Sequence, residues 1–141
     1  PGSLELLNRK PPLQNRRFKW WEHVTNNAVL KTVVIGKNVK TIGVNAFYGC
    51  KNLTKVSGGA ALVTICDRVF SNCAVLSGIV LPSTVKGIGK QAFYNCKKLR
   101  SITINTFLLT SKNVSAQAFT GTYAKAVEKY RQRNLLHIRA F

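Results

Sequence analysis

Apolar residues along this chain recur at an interval of 23, a period longer than any helix or strand repeat. Ile42, Ile65 and Ile88 fall into one column, and Phe47, Phe70 and Phe93 into another. Leu30, Leu53, Leu76 and Leu99 form a third, Val33, Val56, Ile79 and Ile102 a fourth, and Val39, Leu62, Val85 and Leu108 a fifth. One repeat cannot bury its own apolar side, so the pattern predicts stacked coils whose equivalent residues become continuous internal ribs. At about 25 cal/mol per Å² of apolar area, each rung adds several kcal/mol before conformational entropy is subtracted.

Turn formers keep the same register. Asn26, Gly49, Asn72, Asn95 and Gly121 share one column, and Gly and Asn enter the left-handed backbone region most cheaply. Gly36, Gly59, Pro82 and Asn105 share a second, directly after alternating stretches such as Leu76 to Leu81. Each coil therefore reads as strand, turn, second short strand, turn. The run Val44 to Tyr48 has room for one helical or 3₁₀ turn. Three residues are inserted around Thr106 to Lys112, because Phe119 follows Phe93 by 26 positions.

The motif Ile42-Gly43-x-x-Ala46-Phe47-x-Gly49-Cys50-x-x-Leu53 recurs more fully from Leu76 through Leu81-Pro82, Val85, Ile88-Gly89, Ala92-Phe93 and Asn95-Cys96 to Leu99. It resembles the BspA-like, or treponemal, class of bacterial leucine-rich repeats over about residues 27 to 122. The coil at Ile65 departs from the motif, with Cys66 for Gly and Val69 for Ala, and the last has Ser115 and Thr122 for Gly and Cys. The resemblance implies a leucine-rich-repeat solenoid of the α/β horseshoe type: a parallel sheet, short helical or 3₁₀ turns and about four to five coils plus caps. It also implies a bacterial cell-envelope setting and contacts with proteins, host matrix components among them.

Domain organisation follows the repeat. Residues 1–3 read as an expression remnant, 4–26 as an N-terminal cap with a degenerate repeat, 27–123 as the repeats and 124–141 as a helical C-terminal cap. Trp20 and Trp21 are expected to shield the first rung, and no apolar run approaches the roughly 20 residues of a membrane span.

Candidate chemistry is sparse. Cys50, Cys73 and Cys96 are expected as buried, reduced thiols, small hydrophobes or weak donors to turn backbone, with Cys66 more exposed. Parallel side chains on successive rungs disfavour a relaxed disulfide, and no paired Cys-x-x-Cys or His-x-x-x-His spacing points to zinc. Glu5, Glu22, Asp67 and Glu128 are scattered, and His23 and His137 lie in opposite caps, so no acid/base pair assembles. The reading is a non-enzymatic protein-interaction module with no cofactor.

Charge adds a second reading. Lys and Arg number 22 against four acids, a net charge of +18 that favours an anionic partner. The runner-up is therefore a binder of polyanions (anionic glycan, lipid headgroup or nucleic acid) or of a small apolar ligand on the concave sheet face. Nucleic acid is the weaker version, since the basic residues alternate around all sides of each coil and no recognition motif occurs. For a protein partner, acidic or otherwise, strand alternation turns Thr32 and Val34 outward with Lys55, Ser57, Gly78, Val80, Ser101 and Thr103. With Leu108 in the core, Phe107 and Leu109 either cover the last rung under the cap, the first expectation, or form an apolar lip over that face. The candidate partner-binding residues are thus Val34, Lys55, Ser57, Val80, Ser101, Thr103, Phe107 and Leu109.

Overall fold

A computed structural model of the protein describes residues 3–6, 29–104, 106, 108–109 and 112–122. The Trp20/Trp21 cap, the 124–141 cap, Phe107 and both histidines lie outside the described residues. Two parallel sheets run along one axis. The main sheet holds β1 (Ser3–Leu6), β2 (Thr32–Ile35), β4 (Lys55–Gly58), β6 (Gly78–Leu81) and β8 (Ser101–Ile104), in that order. A narrower sheet holds β3 (Thr41–Ile42), β5 (Thr64–Ile65) and β7 (Gly87–Ile88), extended by a bridge from Ile88 to Val114. Each coil crosses the main sheet, turns, crosses the narrow sheet and returns along a third side.

The ladder partners confirm the period: Thr32 pairs with Lys55, Lys55 with Gly78 and Gly78 with Ser101. β1 departs from it, because Ser3 pairs with Thr32, 29 positions on. A 23-residue step back from Thr32 would instead reach Arg9-Lys10-Pro11-Pro12, whose two prolines lack the N–H a ladder needs. Ser3, expected to belong to a remnant, thus opens a strand.

The predicted ribs form the core. Phe47, Phe70 and Phe93 are fully buried, and their rings, continued by Phe119, stack with centroids 5.5, 5.4 and 5.2 Å apart. Such offset stacking adds about 0.5–1.5 kcal/mol per pair beyond area burial. The Leu30, Val33 and Ile42 columns are likewise buried, with Ile102 partly so.

The third side corrects the expected helical turn. Tyr48 N–H donates to the Asn45 carbonyl at 3.1 Å and Cys50 N–H to Phe47 at 3.2 Å, but these are separate turns, and no helix occurs among the described residues. Asn45, Arg68 and Gln91, one per coil, take φ of 59°, 54° and 56°, which right-handed helix cannot accommodate. The backbone instead bonds along the axis, Phe47 N–H to Val69 O at 2.9 Å and Phe70 N–H to Ala92 O at 2.8 Å. The Gly49, Asn72, Asn95 and Gly121 column is left-handed throughout, as its composition predicts.

The three complete coils are fewer than the four to five expected, the fourth being described only in part. The sheet also has a seam. β6 and β8 pair at four positions, whereas β4 joins β6 at Lys55↔Gly78. Gly58, at φ 85°, swings the chain outward where Ile35 and Leu81 point in, and Gly59 N–H closes on Ile35 O at 2.9 Å. A Cβ on Gly58 would collide with the Ile35 carbonyl oxygen.

Candidate interaction face

Alternation along the strands of the main sheet sends every second side chain away from the core. Val34 and Val80 are 41% and 55% exposed, Lys55, Ser101 and Thr103 are exposed, and Ser57 is half-buried. The register sets Thr32, Lys55, Gly78 and Ser101 in one row; in the next, Val34 pairs with Ser57 and Val80 with Thr103, the Ser57-to-Val80 step falling at the seam. From β2 to β8 the face is small-featured, with two isopropyl groups among hydroxyls and one ammonium, and Glu5 of β1 pairs in register with Val34 at its edge.

Of the two roles open to Leu109, the structure gives it the covering one. Leu109 is 3% exposed and belongs to the core cluster, whereas Leu108, expected in the core, is 46% exposed. The insertion explains the exchange. Thr106 is buried; its hydroxyl donates to Val85 O at 2.9 Å and accepts from Leu108 N–H at 3.0 Å, a tight turn that rotates the following residues by one position. Asn113 Nδ2 closes the far side on Leu108 O at 2.8 Å. Leu109 therefore covers the rung instead of bordering the face.

The thiols occupy the interior. Cys50, Cys73 and Cys96 are fully buried and unbridged, and Cys66 is half-buried. Cys73 Sγ donates to Phe47 O at 3.2 Å and Cys96 Sγ to Phe70 O at 3.0 Å, each thiol tying its coil to the preceding one. Burial pushes the Cys96 thiol up to about 12, against a weaker opposing bond with Cys73. Cys73 is held well above the usual thiol range by its contact with Cys50 and by burial. Burial, then the neighbouring Asp67 charge, raises Cys66 too. Cys50 moves the other way, lowered by its contact with Cys73 against the opposing effect of burial. Among the described residues no group of three His, Cys, Asp or Glu gathers to hold a metal ion.

Asp67 has a structural task. Its carboxylate accepts from Lys90 N–H at 2.8 Å, and a Cβ on Gly89 would lie 2.6 Å from Asp67 N. Glycine stands at that corner because the preceding coil presses against it.

The described cations occur on all three corners of the coils, most densely on one. Lys31, Lys51, Lys55, Lys97, Lys98 and Arg100, all exposed, lie on the corner where the third side runs into the main sheet. Lys37, Lys40, Lys86 and Lys112 lie between the two sheets, and Arg68 and Lys90 share the remaining corner with Asp67. The basic triplet near Leu99 is legible in the sequence; its meeting with Lys31, Lys51 and Lys55 requires the coil register.

Comparison with known proteins agrees with this geometry. The family described as BspA type Leucine rich repeat region (6 copies) matches residues 23–139. Among solved structures, the chain is similar to a T. pallidum leucine-rich-repeat protein, TpLRR, at 30% identity and TM-score 0.41, covering 53% of this chain and 46% of that one. It is also similar to a leucine rich cell surface protein from Faecalibacterium prausnitzii A2-165, at 23% identity and TM-score 0.44, covering 67% of this chain and 31% of that one. The chain thus spans less than half the length of either. A search of curated proteins finds no match.

Proposed function

The chain belongs to the BspA-type leucine-rich-repeat family, and from that premise we propose that it is a non-enzymatic interaction module that receives a protein partner on the outward face of the main sheet. The observation that carries this reading is the exposure of Val34 and Val80 on a parallel sheet of small side chains. Bulk there is low enough for close approach, and two apolar groups supply contact area that water leaves on binding. Lys55, Ser57, Ser101 and Thr103 complete the face as polar contacts. A bacterial cell-envelope setting and partners among host matrix components belong to the same reading and rest on the family alone.

The test is binding to a panel of purified host matrix proteins by the chain and by its Val34→Glu/Val80→Glu variant. The reading predicts that the variant, folded by circular dichroism, loses the binding, and that binding by the parent chain changes little between low and moderate salt. A folded variant that binds as before would remove the face from consideration.

A further inference from the structure

Beyond the sheet face, we infer that the basic corner, which meets that face at Lys55, is a binding rim for a linear acidic polysaccharide lying along the solenoid axis. Equivalent residues of successive coils are about 4.8 Å apart along that axis. The first coil supplies Lys31, and the next supplies Lys51 and Lys55. The third contributes only Ala74, Val75, Ser77 and Gly78 at the same positions, and Lys97 and Lys98 then follow with Arg100. Lys51 and Lys97 occupy the same column two coils apart, about 9.6 Å along the axis. Two groups of cations thus bracket one uncharged rung.

The corner is also held rigid. Thr54 Oγ1 donates to Lys31 O at 3.0 Å and Ser77 Oγ to Thr54 O at 3.2 Å, adding side-chain bonds to the backbone ladder at the same position. The lysine backbones are therefore ordered before any ligand arrives, which lowers the entropy lost on binding. Of the acidic residues, Asp67 lies on a different corner, and Glu5 is set by its backbone pairing beside Val34 on the main sheet, toward the Lys31 end of the rim.

The ligand that fits is a chain whose sulfates or carboxylates are spaced by uncharged, hydroxyl-bearing units. The bracketing lysine groups take the anions, and the neutral rung, with its small side chains, takes the unit between. A single-stranded nucleic acid fits less well, because such strands are held by aromatic shelves, and the corner from Lys51 to Lys55 and from Lys97 to Ser101 has no aromatic residue. An acidic protein lacks the regular spacing of charges that the two lysine groups match.

The probe is a heparin octasaccharide, titrated at several salt concentrations against the whole chain, a Lys51→Ala/Lys97→Ala/Lys98→Ala variant and a Lys40→Ala/Lys86→Ala control. Thermal unfolding of each establishes that it is folded; these exposed substitutions leave the core intact. The inference predicts that the rim variant binds about tenfold or more weakly and that its slope of log affinity against log salt is shallower by about two. It predicts that the control stays within about threefold of the parent, allowing for the general loss of charge. Equal losses in rim variant and control would overturn it, leaving only diffuse attraction. So would tighter binding of a polyglutamate peptide or an oligonucleotide of the same charge.

Discussion

The phenylalanine column and the outward row of the main sheet traverse the same coils along the same axis, yet one repeats without change and the other changes residue at every step. Phe47, Phe70, Phe93 and Phe119 stack ring on ring, while Val34, Ser57, Val80 and Thr103 share a row with hardly a common property beyond small size. The interior column is constrained twice per coil, by the ring above and the ring below, so identity is preserved by packing. The outward row meets no such constraint, and its variation is where this chain differs from any other stack of the same coils.

If that contrast is right, substitutions in the two regions differ widely in effect. Phe70→Ala removes a fully buried ring between two others and is expected to destabilise by about 3–5 kcal/mol, measured by chemical denaturation. Next comes a pair from one turn column. Gly89→Ala drives a Cβ into the backbone of Asp67 and Cys66, each 2.6 Å away, and is expected to cost about 1–3 kcal/mol. Gly43→Ala meets nothing within 4 Å and is expected to be neutral or slightly stabilising, through a stiffer unfolded chain. Equal effects at the two glycines would mean that the coils do not press on one another as described.

A smaller effect concerns pH. Because burial holds the Cys96 proton to about 12 in the fold against 9.0 for an ordinary thiol, the folded state carries more protons than the unfolded chain between those values. Stability therefore falls as pH rises above 9.0. Cys96→Ala, less stable at neutral pH, is expected to show a shallower alkaline decline in urea titrations across that range. Smallest of all, Val34→Ser with Val80→Ser is expected to change stability by no more than about 0.5 kcal/mol per site, since both side chains are largely in water already.

Most of the interior was legible from spacing, because a buried column admits one residue type per level and 23-residue repetition advertises it. Turn chemistry was half legible. The Asn72 and Asn95 column announces left-handed backbone, but Asn45, Arg68 and Gln91 do the same with residues that carry no such signature as a set, so a helical turn was expected where none forms. In Phe107-Leu108-Leu109, three consecutive apolar residues beside an insertion, apolarity cannot say which one points inward. The Thr106 hydroxyl decides, through a bond to Val85 that leaves no trace in the pattern. Of the surface, alternation found the outward row correctly, while the clustering of Lys31, Lys51 and Lys97 stayed hidden because these residues lie 20 and 46 positions apart.

The central claim is that equivalent side chains of successive coils touch and that more distant ones do not. Double-mutant cycles with Phe→Leu at positions 47, 70 and 93, which keep the core apolar, test it most directly. Coupling of about 0.5–1.5 kcal/mol is expected for Phe47 with Phe70 and for Phe70 with Phe93, and close to zero for Phe47 with Phe93. A Phe47–Phe93 coupling as large as those of the adjacent pairs, or none for any pair, would contradict the stacked-coil account.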